Sequence, residues 1–516
     1  MKGAGITALA LGWVLLLPPA LRGATDLPKH GGVLTMAIRR DLEILNPLVN
    51  TRSTDRSVRE LMFEPLLSID LKGSVQPNLA ESWEMSLQGK VYTFRLRRGV
   101  KFHNGQEMTA EDVKFAMDYT MNPKNGARGL IFLSVVSKVE VVDRYILKVF
   151  LKGPSPGFLS SITDILAFSV IPKGSLPEGL DMPTHFPPGT GPFKFIEWQP
   201  QQRVVLERFN DYWGHKAFLD RVVLRPIKDA TVRFTALRAG DVDMVEETPY
   251  EWVKQVVDQK IKGLSYASAA HKSFLNVEFN VAGTSFNNRR LREAVAHGIN
   301  RNEILEAAYF GFGDATDQKY PKGHVWYLDG VPSRSYDVKK AKELLQEAGY
   351  RGETIDFLAR QGEEMRATVL QAQLKRIGMN IKLEVLDSGA YSGRIRKGDF
   401  AFTFGGGSPD PDPSTAYGPD LRCEPDLKKR ANNDTGYCDP EVDVLLKKAE
   451  VETDAAKRRE WFRRIASKVY SDVPEIYIAF IPTFFTFRDT VRGFKTDSNG
   501  SFLWWGGGLH HTWLDR

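Results

Sequence analysis

Residues 93–113 read TFRLRRGVKFHNGQEMTAEDV. Tyr92, Phe94 and Leu96 alternate with Thr93, Arg95 and Arg97, the two-residue period of a half-buried strand. The turn residues Gly89-Lys90 lead into it after Leu79-Ala80-Glu81-Ser82-Trp83-Glu84, which predicts a hairpin. Beyond Thr109 the pattern changes. A threonine followed by Glu111 and Asp112 is the start signal of a helix, with Thr109 as N-cap and two acids in the first turn.

The same alternation of strand and helix extends both ways from this stretch. Upstream, residues 31–38 read as a strand, and a helix is predicted from about Ser53 to Phe63. Downstream come a strand at Leu147–Leu151, a connection with six prolines from Pro172 to Pro192, and strand-like runs at 193–208 and 221–227. A short helix at 231–239 ends on Gly240. After Ser273 a second block begins, with helices at 337–348 and 367–377 stopped by Gly349 and Gly378, and an alternating strand through Ile381, Leu383 and Val385. The pattern predicts α/β lobes and neither an all-α nor an all-β fold. No 20–50 residue repeat is visible.

A chain of 516 residues, 42% hydrophobic and 26% charged, has room for about three domains. Its net charge of +6 is too dilute for a nucleic-acid footprint. Lys2 followed by an apolar run from Ile6 to Leu17, Pro18-Pro19-Ala20 and Ala24 predicts a signal peptide at 1–24, too short for a membrane anchor. Arg22 sits awkwardly three residues before that cut. No cysteine lies nearby to carry a lipid, so the mature chain is expected to be periplasmic, soluble and not membrane-anchored. Loss of Lys2 and Arg22 lowers +6 to +4.

Catalytic signatures are missing: no G-x-S-x-G, H-E-x-x-H, P-loop or G-x-G-x-x-G occurs. Gly405-Gly406-Gly407-Ser408 resembles a phosphate cradle, but Pro409 and Pro411 stand where a helix N-terminus is needed. Of nine histidines only His510 and His511 are adjacent, and strand neighbours point to opposite faces. Neither a metal nor another cofactor is expected, and a nickel or haem ligand set has no clustered histidines to draw on. Asp410 and Asp412, each flanked by proline, are either turn residues or the acid pair of a secreted hydrolase. Cys423 and Cys438 form an even pair in an exported chain, which favours a disulfide bracing the Pro-Asp-Pro loop.

Several segments together resemble the family 5 extracellular solute-binding proteins of bacterial ABC importers, the dipeptide and oligopeptide-binding group. They are residues 93–113; Gly189–Phe193 with Arg208–Trp213; LRAGDVD at 237–243; 287–309; YDVKKAKELLQEAGY at 336–350; and GYCDPEVD at 436–443. The resemblance implies a periplasmic binding protein-like fold of type II, with two α/β lobes around a cleft. Lobe I is expected at 28–65, 190–272 and 487–516, a small inserted domain at 66–189, and lobe II at 273–486. It implies a monomer that encloses a peptide-like solute, a di- or oligopeptide, and delivers it to a membrane permease. Opines, amino-acid conjugates and oligosaccharides are the alternatives within the family.

In peptide binders of this family an aspartate three residues before an acidic-Pro pair holds the ligand's α-ammonium. Here the pair is Asp410-Pro411, so that position falls on Gly407. A shifted register gives the role to Asp410 or Asp412. The resemblance also places Phe404 on the pocket wall beside Gly405 and Gly406, puts Arg360 near a site for a carboxylate partner, and brings the segment ending at Asn46 towards the cleft.

Overall fold

The computed structural model describes residues 27–44, 46–49, 53–127, 129–164, 168–176, 186–426, 429–430, 432–497, 500–504 and 507–516. The expected signal segment, 1–24, lies outside the described residues. An 11-stranded mixed sheet runs through both halves of the molecule. In the first half Val33–Ile38 pairs in parallel with Arg221–Pro226 and with Met244–Val245, and the hairpin Phe193–Gln199 and Arg203–Arg208 completes that edge. In the second half Thr354–Arg360 pairs in parallel with Asn380–Leu386 and Phe402–Gly407.

Two long antiparallel strands, Leu264–Phe279 and Glu475–Arg488, join the halves. One end of the pair bonds to Met244–Val245, the other to Phe402–Gly407. Between the two ends their register slips: Ala269 lies opposite Thr483, and the next pair is Ser273 with Ile481. Ala270, His271 and Lys272 therefore face Pro482 alone, a residue with no N–H to give a ladder. The flanking side chains hold opposite halves. His271 Nε2 meets Asp314 at 3.1 Å, in a strand bonded to Phe480 and Ala479. Lys272 Nζ meets Glu247 at 3.4 Å, just after Met244–Val245.

The stretch at 93–113 folds as its pattern predicts. Val91–Leu96 lies between Ala80–Ser86 and Ile146–Leu151 in a four-stranded sheet. Helix Ala110–Met121 opens where Asp112 accepts from the backbone N–H and the hydroxyl of Thr109, at 2.8 and 2.9 Å. Phe94, Val113 and Leu147 of this small sheet and helix share one continuous core with Leu34, Leu206 and Leu224 of the large sheet. A second core fills the other half, around Val277, Phe357, Phe402 and Ile478. A third joins helices Pro413–Leu421, Pro440–Val451 and Ala455–Asp472. Cys423 and Cys438 are bridged between the first two of these helices, with Cα atoms 4.5 Å apart.

Candidate ligand-binding site

The halves enclose a cleft of about 300 Å³ beside the crossing strands. One wall is built on helix Ser53–Glu60 and the turn after it. Arg56 Nε donates to Glu60 at 2.9 Å and its guanidinium pairs with Asp164 at 3.3 Å. Glu64 is buried and accepts from Tyr212 Oη and Trp213 Nε1, both at 3.0 Å. Arg97 lies over the Trp213 ring, 4.7 Å from its centroid. Burial raises the Glu60 and Glu64 carboxyls to about 7, against the pull of Arg56 on the first and of the Trp213 and Tyr212 hydrogen bonds on the second. The opposite wall is Ser408-Pro409-Asp410-Pro411, and Lys272 reaches the cleft from the crossing strand.

Of the residues singled out from the sequence, Asp410 lines this cleft. It is half-buried and makes no hydrogen bond or ion pair with the described residues. Burial raises its carboxyl to about 6, opposed by Lys319 and reinforced by Asp420. Gly406 and Gly407 end the strand Phe402–Gly407 and line a neighbouring cavity of about 420 Å³, which shares Ser408 and Asp410 with the cleft. Gly405 lies one residue earlier on the same strand, where a Cβ would collide with the Glu278 carboxyl. The phosphate-cradle reading of Gly405–Ser408 finds no helix N-terminus there, since residues 405–407 are extended.

The others sit elsewhere. Phe404 has 0% exposure and packs edge-on to Phe357 in the second core, so it is not on the cleft wall. Asp412 caps helix Pro413–Leu421 through Ser414 N at 2.8 Å, and both its oxygens are taken by Arg458. Asp412 is buried and is not part of the cleft lining. Asn46 is buried and turns its Oδ1 onto Leu48 N at 3.0 Å. Arg360 ends its strand over the Tyr391 ring, 4.5 Å from the centroid and 3.7 Å from Glu363, away from the cleft lining.

From the sequence Glu60 and Glu64 are not singled out, and His510 and His511 are expected to be strand neighbours on opposite faces. His510 and His511 lie on the 3-10 turn Leu509–His511, not on a strand, and both line the cleft. His215 stacks on His511 with ring centroids 4.4 Å apart, although 296 positions separate them in the chain. Burial and the neighbouring imidazoles lower His510 and His511. Among the described residues no group of His, Cys, Asp and Glu is arranged to hold a metal ion. The adjacent aromatics Tyr212-Trp213 in a polar loop were the one local signal for this wall.

The sequence pattern of the bacterial extracellular solute-binding proteins, family 5 (middle region), matches residues 74–426. This chain belongs to that family. It is similar to the glutathione-binding protein GsiB of Pectobacterium atrosepticum, 27% identical over 456 residues, covering 86% of this chain and 88% of the relative. The dipeptide-binding protein of Escherichia coli is 27% identical over 459 residues, covering 83% and 84%. Among solved structures, the periplasmic binding protein DppA of Helicobacter pylori in complex with the peptide STSA superposes with a TM-score of 0.74 at 26% identity, covering 95% of this chain and 99% of that one. The fold is that of the type II periplasmic binding proteins, and the protein is an extracellular solute-binding component. No helix among the described residues is long and apolar enough to cross a membrane.

Proposed function

We propose that this family 5 protein captures a peptide-like solute between its lobes in the periplasm and delivers it to the permease of an ABC importer. Supporting this, the dipeptide-binding and DppA relatives cover 83% and 95% of the chain. The observation that carries the reading is the cleft itself. It lies beside two crossing strands, and its walls hold paired charges on one side and the unpaired carboxylate of Asp410 on the other. A solute bridging both walls binds the closed form better than the open one, and only such a difference shifts the equilibrium. We take lobe I as 28–65, 190–272 and 487–516, with 66–189 inserted and 273–486 as lobe II. Export by cleavage of 1–24, a free and unanchored monomer, and the absence of catalysis belong to the same reading.

A thermal-shift screen of di- and tripeptides against the mature protein tests it, because a ligand of the native state stabilises by RT ln(1 + [L]/Kd). Peptides that raise the midpoint, with Asp410→Asn blunting the rise, support the reading. Robust turnover of esters, peptides or glycosides that is lost on Asp410→Asn would replace it with a hydrolase. Gly407, standing where peptide binders of the family carry the ammonium-binding aspartate, favours a second solute class: an opine or amino-acid conjugate whose amine is not presented there. Mass spectrometry of the solute that co-purifies separates the two.

A further inference from the structure

The cavity of about 420 Å³ beside the cleft is built from acids. Glu278 and Glu475 stand directly opposite each other on the two crossing strands. Two carboxylates in that position repel, and burial together with Glu475 pushes the Glu278 carboxyl up to about 8. Asn276 holds the two apart, donating from Nδ2 to Glu475 at 2.6 Å and to Glu278 at 3.2 Å. Tyr477 Oη donates to the other Glu475 oxygen at 2.7 Å. Asp410, Asp420 and the exposed Asp434 line the same space. Among the described residues the sole ammonium lining it is that of Lys319, which is already spent on Asp420 and on the Ala416 carbonyl oxygen at 2.8 Å. Arg360 and Arg430 act on Asp434.

A second observation is independent of the charges. Asn276 lines the cavity at 1% exposure, yet its Oδ1 is buried with no donor. An orphaned buried acceptor of this kind is costly, so the space is short of donors. Its floor is kept clear by glycine: a Cβ on Gly406 would stand 2.7 Å from the Phe274 carbonyl oxygen, and one on Gly407 would stand 3.2 Å from the Phe274 ring. The cavity meets the cleft at Ser408 and Asp410, which line both.

We propose that this side cavity seats a cationic side chain of the solute, a guanidinium or a terminal ammonium, against Glu278, Glu475 and Asp410. Such a group brings positive charge and several N–H donors at once. Gly407, the family's α-ammonium position, lines this same cavity but carries no carboxylate, so the counter-charge here comes from Glu278, Glu475 and Asp410. The proposal rests on the peptide-like reading of the cleft.

Titration calorimetry on the full mature chain tests it, using Ala-Arg-Ala and Ala-citrulline-Ala, each with a free and an acetylated amino terminus, and agmatine as a non-peptide cation. Citrulline keeps the shape of arginine and removes its charge. The arginine peptide should bind about tenfold or more tightly than the citrulline peptide, acetylated or not, the value of one charge-assisted bond. Glu278→Gln and Glu475→Gln, each confirmed folded by its melting curve, should shrink that ratio to near one, as should the more exposed Asp410→Asn. Equal affinity for arginine and citrulline, a ratio untouched by all three variants, or a preference that vanishes on acetylation would overturn the proposal. If no peptide binds but agmatine does, and Glu278→Gln weakens it, the peptide reading fails while the cation cavity stands. If neither binds, the cavity assignment falls.

Discussion

Asp412 and Arg458 are joined by two charge-assisted hydrogen bonds, 2.7 and 2.6 Å long, with side-chain exposures of 3% and 5%. The guanidinium also receives support from the Ala449 carbonyl oxygen at 3.0 Å and lies over the Trp326 and Phe462 rings. The pair ties the cap of helix Pro413–Leu421 to helix Ala455–Asp472 beneath the loop that carries Asp410. Two aspartates two residues apart thus have different work. Asp412 holds the loop in place, and Asp410 is left facing the cleft.

Removing one partner of a buried ion pair strands the other charge and costs about 3–5 kcal/mol. Asp412→Ala should therefore lower stability by about that amount in urea denaturation, whereas the half-buried Asp410→Ala should stay within about 1 kcal/mol of the parent. A stability loss at Asp410 equal to that at Asp412 would contradict this division of roles.

The disulfide should be measurable in the same way. Opening the loop between Cys423 and Cys438, 15 positions apart, should cost about 3 kcal/mol in the chain-entropy view. Mass spectrometry of the unreduced protein should show the two linked, and the Cys423→Ser, Cys438→Ser double variant should melt lower than the oxidised parent.

Glu64 gives stability a pH dependence of predictable sign. Its carboxyl is at about 7 in the fold and near 4.5 when the chain is unfolded. The native state therefore holds the extra proton between those values, and stability falls as pH rises from about 4.5 through 7. A displacement of this size corresponds to about 3 kcal/mol, and Glu60 adds in the same direction. Denaturation curves taken from pH 5 to pH 8 should lose slope in Glu64→Gln. An unchanged slope would show that other groups carry it.

Gly405 is predicted to be intolerant of even one carbon. A Cβ there would strike the Glu278 carboxyl and approach Asn276 Oδ1 at 2.6 Å. Gly405→Ala should cost about 1–3 kcal/mol through overpacking. It should also weaken binding of an arginine-bearing peptide by displacing Glu278, read as a smaller thermal shift. Gly153→Ala, with nothing within 4 Å of the added carbon, controls for the glycine-to-alanine change without a collision.

Much of the fold was written locally. The alternation at 92–97 and the Thr109-x-x-Asp112 start signal need only neighbouring residues, and both appear as strand and capped helix. Asp229 and Asp337 cap the helices expected near 231 and 337, and Gly240 ends the first of them in the left-handed region. The site was less legible because its chemistry is assembled across long sequence distances. Nothing near Asp412 announces Arg458, and nothing near Glu278 announces Glu475. Phe404 belongs to a strand covered on both faces, so its alternation does not tell wall from core. The run Gly405-Gly406-Gly407 is conspicuous in sequence, but its cause, the Glu278 carboxyl and Phe274 pressed against it, lies on the neighbouring strand.

The register slip at Ala270–Lys272 bears on the energetics of capture. Strands usually resist bending because each rung of the ladder couples a donor to its acceptor across the pair. Here the rungs stop on either side of Pro482, and His271 and Lys272 are moored to opposite halves. Rotation about this point leaves the flanking rungs intact, so the work of closing falls on the hydrogen bond to Asp314, the salt link to Glu247 and the cleft walls. Ionic strength, which screens the Lys272–Glu247 link, is then a dial on how readily the empty protein closes, and a distance probe spanning the lobes should register it.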